Sequence, residues 1–190
     1  MSSLEDLVVQ SQIVMLDDDD EDNSAFICYA HQDNDSSNLK ERWLDRFLQF
    51  IKPMVRQKDL NVWSDRDLKI GDVWHKKIQK QLEAAKAIVL FVSPAFLESD
   101  YIVNNEMPVL LKQSKDRGVP IFQFIISPCL YEETRFLYPD PKKGPHTFTL
   151  HSIQAANPPS KTLIEMTEAE QNRIMLSVAK SMWVALGNRV

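Results

Sequence analysis

Short, continuous hydrophobic runs alternate along the chain with longer segments in which hydrophobic residues recur every three or four positions. The short runs are typical of strands buried on both faces, and the longer segments are typical of amphipathic helices. The pattern predicts strands at residues 25–29, 60–63, 87–92, 119–126 and 147–150. It predicts helices at residues 38–56, in a segment that follows Gly71 and contains Leu82, at 99–115 and at 167–187. Because strands and helices alternate, most neighbouring strands are expected to run parallel.

This order of elements predicts an α/β domain, with a five-stranded, mostly parallel sheet covered by helices on both faces. Ligands of such sheets bind beyond the carboxyl ends of the strands. The loops after Tyr29, Trp63 and Val92 are therefore the expected place for a binding site. Pro108 lies inside the third helical segment, where its ring and its missing N–H require a kink or a break.

The first 23 residues differ from the rest of the chain in charge. They contain eight of the 27 acidic residues and no Lys or Arg, and residues 17–22 are all acidic. A run of like charges repels itself and is typical of a solvated linker. We therefore expect an acidic arm or linker at 1–23 and one domain at 24–188. The apolar positions of residues 4–16 leave two alternatives for the arm, a partner-binding segment or a disordered one.

Composition excludes several classes of function. The 190 residues include only four widely spaced Gly, which excludes the phosphate-binding patterns GxGxxG and GxxxxGK[ST]. Cys28 and Cys129 lack metal-ligand spacing, so we expect no metal site. Outside the arm the chain is nearly neutral, which gives no basis for nucleic-acid binding, and no apolar segment approaches the roughly 20 residues that span a bilayer. A reducing, cytoplasmic location is the simplest expectation.

Three blocks of the sequence resemble the TIR (Toll/interleukin-1 receptor-like) domain family. The blocks are FICYAHQD at 26–33, VWSDRDLKIGDVW at 62–74, and AIVLF followed by SPAFLESDYI and NNEMP at 87–108. They are similar to the family's first strand and loop, its second strand with the BB loop, and its third strand with the helix of the catalytic glutamate. The resemblance implies the TIR fold, a flavodoxin-like three-layer sandwich, and the third block has the form common in bacterial members.

In the enzymatic members, the resemblance implies an NAD+ glycohydrolase whose essential glutamate corresponds to Glu106. NAD+ is then the substrate, and neither a further cofactor nor a metal is expected. Cleavage expels neutral nicotinamide from a positively charged pyridinium, so the leaving group needs no general acid and one carboxylate is sufficient. Glu106 would hold the ribose hydroxyls and stabilise the positive charge of the transition state. The products would be nicotinamide and ADP-ribose or a cyclic isomer.

The resemblance also implies substrate contacts from loops at the same edge of the sheet. The candidates are Tyr29, Ala30, His31, Asp65, Asp67, Lys69, Ser99, Tyr101 and Ile102. Ile102 stands where many active members have Trp, and Tyr101 either replaces that aromatic side chain or packs in the core. Asp65 and Asp67 bind ribose hydroxyls or hold their own loop, and Lys69 meets a phosphate or is a solvated surface charge.

Two functions remain open at this point. In this family activity commonly requires self-association, to which the BB loop at 64–72 contributes. The first hypothesis is an assembly-dependent NAD+ glycohydrolase or cyclase of bacterial anti-phage defence, controlled by a sensor outside this chain. The second is a non-catalytic signalling module that docks other TIR domains through the BB loop. Glu106 favours the enzyme, because adaptor-type members frequently lack that glutamate. A phosphoacceptor domain would need an aspartate at the end of the third strand, which here ends FVS at 91–93.

Overall fold

The computed structural model describes residues 24–57, 60–64, 80–138, 144 and 146–187. The acidic arm at 1–23 lies outside these residues, and so does the BB loop at 64–72 except for Ser64. Three of the predicted site residues, Asp65, Asp67 and Lys69, belong to that loop and are likewise outside the described residues. Within the described part, no helix is both long enough and apolar enough to cross a bilayer.

A parallel sheet forms the centre of the described chain. Its strands are β1 (Ser24–Cys28), β2 (Asn61–Trp63), β3 (Ala87–Val92) and β4 (Ile121–Ile125), in the order β2-β1-β3-β4. All six side chains of β3 are buried, as expected for a strand that is covered on both faces. The first four predicted strands are therefore present, and the α/β class with a mostly parallel sheet is confirmed.

Helices cover both faces of this sheet. Packed on one face are α1 (Trp43–Arg56) and α4 (Glu168–Ala185), above a core that includes Phe47, Phe91 and Phe124. The opposite face carries residues 80–84, which are helical, together with α2 (Pro94–Glu98) and α3 (Met107–Arg117). That second core includes Leu82, Phe96 and Leu110. The two cores make the three-layer arrangement that the alternating pattern predicts.

The predicted fifth strand at 147–150 does not join the parallel sheet. It forms β6 (His146–Thr149), which pairs antiparallel with β5 (Arg135–Tyr138) in a separate two-stranded sheet. The prediction of five strands in one sheet was therefore wrong for the described chain. Strand β6 is polar and exposed at its start, which suits a half-buried hairpin and not a strand covered on both faces. At the open edge of β4, a single parallel bridge joins Gln123 to Ala155.

The helix predicted at 99–115 is interrupted, as Pro108 requires. Residues Ile102–Glu106 form a π-helical segment, and α3 begins directly after it with Pro108 in its first turn. The N–H of Met107 bonds to the carbonyl of Ile102, five residues earlier. Pro108 has no N–H to donate to the preceding turn, so a regular α-helix cannot continue through it. Single π-turns of this kind occur frequently at functional sites.

Candidate active site

A pocket of about 390 Å³ lies beyond the carboxyl ends of β1 and β3. The loop after β1 forms one wall, and α2 with the π-helical segment forms the other. Its lining residues are Tyr29, Ala30, His31, Gln32, Ala95, Glu98, Ser99, Tyr101, Ile102 and Glu106. Strands β1 and β3 are neighbours, but the chain leaves them for helices on opposite faces of the sheet. Such a point of divergence opens a crevice at the strand ends, which is where ligands of α/β sheets bind.

The pocket brings together every predicted site residue that the structure describes. Tyr29, Ala30 and His31 come from the first loop, whereas Ser99, Tyr101, Ile102 and Glu106 come from the second wall. These two groups are about 70 residues apart in sequence, and only the parallel pairing of β1 with β3 places them side by side. The pocket thus contains the described residues that the resemblance implies, while their roles remain predictions.

Glu106 lies at the inner end of the pocket and is only 5% exposed. Its Oε2 atom accepts a hydrogen bond from the thiol of Cys28, with Sγ and Oε2 2.7 Å apart. Cys28 is the last residue of β1, so the carboxylate is directed towards the sheet and away from bulk solvent. Glu106 is also the last residue of the π-helical segment. A π-turn adds one residue to a helical turn, which changes the direction of every side chain that follows it.

Three of the pocket's lining residues have aromatic rings, namely Tyr29, His31 and Tyr101. The rings of Tyr29 and His31 lie with their centroids 5.6 Å apart and their planes inclined by 35°. Tyr29 is buried and His31 is exposed at the mouth. Tyr101 is half-buried beside them, and Ile102 is part of the hydrophobic core as well as of the pocket lining. The side chain of Tyr101 packs against that core and also lines the pocket, and its replacement of the missing Trp stays a prediction.

A half-buried carboxylate, that of Asp33, follows the pocket residues of the first loop. The hydroxyl of Ser93 donates to Asp33 Oδ2 over 2.6 Å, and the same hydroxyl accepts from the N–H of Phe96 at the start of α2. Burial raises the pKa of Asp33 above its usual value, and the hydrogen bond from Ser93 opposes that rise. Asp33 thereby connects the loop after β1 to the end of β3, and it fixes the two walls relative to each other.

Sequence reasoning missed four residues of this site. Gln32, Ala95 and Glu98 line the pocket beside predicted residues, and Cys28 contacts Glu106 below it. The signal for Cys28 was available, because alternate strand residues point to one face and Cys28 is two positions before Ala30. The partner of Cys28 could not be predicted, because the direction of Glu106 depends on the π-turn.

The fold and site define a class, namely α/β domains with a parallel sheet and a buried carboxylate in a pocket at the strand ends. A family model described as TIR domain matches residues 25–157. The chain therefore belongs to the TIR domain family.

Two further comparisons give more distant likenesses. The chain is 26% identical over 113 residues to the uncharacterized protein y4lF of Sinorhizobium fredii, and the match covers 60% of this chain and 33% of that protein. It thus spans about a third of the length of this relative. The crystal structure of a flavodoxin-like domain from a Synechococcus protein aligns with a TM-score of 0.39 at 13% identity, covering 86% of this chain and 95% of that one.

Proposed function

We propose that this TIR domain is an NAD+ glycohydrolase or cyclase that uses Glu106 to cleave the bond between nicotinamide and ribose. The observation that supports this function best is the position of Glu106: it is a nearly buried carboxylate at the inner end of a pocket lined with aromatic side chains. A carboxylate that is costly to bury and still faces a cavity is a candidate for a functional group. The cavity volume lies within the usual range for ligand pockets, about 300–1,000 Å³.

The chemistry requires little of the protein beyond this carboxylate. The bond from C1′ of the ribose to the pyridinium nitrogen breaks, and its electron pair stays with nicotinamide, which leaves uncharged. Positive charge develops on the ribose, and the nearby negative charge of Glu106 stabilises it in a site of low polarity. Water then adds to C1′ with loss of a proton to give ADP-ribose, or a nitrogen of the adenine adds instead to give a cyclic isomer.

The pocket walls suit the nicotinamide end of the substrate. Tyr29 and Tyr101 offer faces for the nicotinamide ring, and Ser99 and His31 offer polar groups to the ribose and the adjoining phosphate. Ala30 leaves room for the substrate beside the main chain, and Ile102 supplies apolar contact. The BB loop is proposed to bind the rest of the NAD+ molecule: Asp65 and Asp67 would bind ribose hydroxyls, and Lys69 would bind a phosphate.

The proposed enzyme works in the cytoplasm and is activated by self-association through contacts that include the BB loop at 64–72. Uncontrolled hydrolysis would deplete NAD+, so a sensor or regulatory protein outside this chain is proposed to promote assembly. Anti-phage defence in bacteria is the proposed setting. The TIR family membership supports association as a property, and the surroundings of Glu106 support catalysis.

The test is release of nicotinamide from NAD+ at increasing protein concentration, with and without a crowding agent. Glu106→Gln keeps the shape of the side chain and removes its charge, whereas Glu133→Gln makes the same change at an exposed position outside this pocket. We expect release by the wild type to rise faster than linearly with concentration. Glu106→Gln should lose about 10²–10³-fold, comparable to the loss of one preorganised electrostatic group, and Glu133→Gln should retain full activity.

Two results would contradict this function. Equal activity of the wild type and Glu106→Gln would show that the carboxylate does no chemistry. Absence of release by a folded, assembled wild type would refute the enzyme and would favour the alternative, a signalling module that docks other TIR domains through its BB loop.

A further inference from the structure

The thiol of Cys28 and the carboxylate of Glu106 form a buried pair beneath the candidate pocket. Cys28 is 1% exposed and Glu106 is 5% exposed, and 78 positions separate them in sequence. Cys28 lies opposite Leu90 in the parallel register of β1 with β3, and its surroundings include Ile102 and Met107 of the same hydrophobic core. The thiol therefore reaches the carboxylate from within the core and not from the solvent side.

We propose that Cys28 is a positioning residue: its thiol binds Oε2 of Glu106 and holds the carboxylate in one orientation at the base of the pocket. This inference rests on the proposed function for its catalytic consequence. With Oε2 held from below, the carboxylate group presents a fixed edge to the cavity, where a ribose hydroxyl can reach it. Residues that hold a functional group in its productive orientation contribute to the preorganisation of the site.

A thiol suits this role better than a stronger donor. It is a small hydrophobic group with a weakly polar S–H, so it packs among Leu90, Ile102 and Met107 without leaving a strong polar group unsatisfied. It also withdraws little negative charge from the carboxylate that it orients. The full charge of Glu106 then remains for the cation that develops on the ribose.

The hydrogen bond can be measured without any assay of activity. Cys28 and Cys129 are the only two cysteines, so in a Cys129→Ser background the S–H stretching band in the Raman spectrum reports on Cys28 alone. The S–H stretching band of a hydrogen-bonded thiol lies at lower wavenumber than that of a free thiol. We expect a lowered band that moves up in Glu106→Ala and stays unchanged in Glu133→Ala. An identical band in all three proteins would overturn the proposal, whatever the kinetics show.

The kinetic test compares three replacements of Cys28. Cys28→Val keeps the approximate volume and removes the donor, Cys28→Ala removes the donor and some volume, and Cys28→Ser keeps a donor. We expect kcat to fall roughly 10–100-fold in the first two, with KM nearly unchanged, and to recover most of its value in Cys28→Ser. The acid limb of the kcat/KM profile should move to higher pH in Cys28→Val, because a donor to the ionised carboxylate favours that form.

These measurements separate the two proposals. A wild type that releases no nicotinamide but has a band sensitive to Glu106 would refute the enzyme and retain the positioning contact. The positioning role would be overturned if the wild type is active and both Cys28→Val and Cys28→Ser keep the kcat and the pH profile of the wild type. A loss of kcat in Cys28→Val that Cys28→Ser does not recover would point to packing and would equally overturn it.

Discussion

The side-chain amide of Asn157 pairs with the main chain of Ile125 as a strand residue would. Its Oδ1 accepts from the N–H of Ile125 over 2.9 Å, and its Nδ2 donates to the Ile125 carbonyl over 3.0 Å. The same Nδ2 also donates to the carbonyl of Lys161. Together with the bridge between Gln123 and Ala155, this pairing covers the edge of β4 that a fifth strand would otherwise occupy.

Replacement of Asn157 should therefore destabilise the domain. Asn157→Ala leaves the N–H and the carbonyl of Ile125 without this partner in a buried position, and Asn157 itself is only 1% exposed. We expect the free energy of unfolding to fall by about 1–3 kcal/mol, the usual cost of an unsatisfied buried polar group. Urea denaturation measures the change, and Gln154→Ala, an exposed position nearby, should change it by less than about 0.5 kcal/mol. Equal midpoints for both variants would contradict the role of Asn157.

Local sequence was sufficient to predict the core of the sheet but not its edge. Strand β3 is a continuous hydrophobic run that is buried throughout, so its sequence alone predicts a strand at the centre of the sheet. Asn157 contacts Ile125 only because the folded chain brings these two distant positions together, and no local pattern encodes that contact. Residues 147–150 have the β-branched and aromatic residues of a strand, but their partner β5 shows the alternating burial of a hairpin. Strand propensity alone therefore gave the right element in the wrong sheet.

The site was predictable to the same extent. The loops after β1 and β3 could be assigned to one edge because parallel strands bring their carboxyl ends together. Pro108 predicted an interruption of the helix, but not a π-turn that ends at Glu106. The contact with Cys28 follows from that turn, so it became visible only in the three-dimensional arrangement.

Asp33 should make the stability of the domain decrease as the pH rises above its usual titration range. Its pKa is raised in the folded state by burial, so between the unfolded and the folded value the folded chain binds more protons than the unfolded one. The contribution of Asp33 to the free energy of unfolding is highest at low pH and decreases as its carboxyl group ionises. Asp33→Asn removes this dependence and can still accept the hydrogen bond from Ser93.

The measurement for Asp33 is urea denaturation of the wild type and Asp33→Asn at several pH values from about 4 to 7. We expect the variant to gain stability relative to the wild type as the pH rises. Asp35→Asn, two positions further along and exposed, controls for the loss of one negative charge. A difference between wild type and Asp33→Asn that stays constant with pH would show that the carboxyl is not destabilised by burial.

Phe124 is the centre of the aromatic cluster under α1 and α4. Its ring stacks on Phe91 at 4.9 Å and meets Phe47 edge-on at 5.4 Å, and its side chain is fully buried. Phe124→Ala should lower the free energy of unfolding by about 3–5 kcal/mol through lost contact and a residual cavity. Phe124→Leu should cost clearly less, and Leu137→Ala, at an exposed site, should cost almost nothing. Similar urea midpoints for the Phe124→Ala and Leu137→Ala variants would contradict this packing.

Glu170 should have the opposite pH dependence to Asp33. It accepts from Lys161 Nζ over 2.7 Å and from the backbone N–H of Thr167 over 2.8 Å at the start of α4. The hydrogen bond from Lys161 and then those from Thr167 lower its pKa to about 2. Because the folded value lies below the unfolded one, the stabilisation is complete above the usual range of a glutamate and is lost as the pH falls towards the folded value.

Glu170→Gln keeps the shape of the capping box but cannot ionise. Wild type should therefore be more stable than Glu170→Gln at neutral pH, and urea denaturation between about pH 7 and pH 3 should show the difference shrinking in acid. Glu133→Gln serves as the control for charge, and a difference for Glu170→Gln that is the same at both ends of the range would mean that the contacts of Glu170 do not depend on its charge.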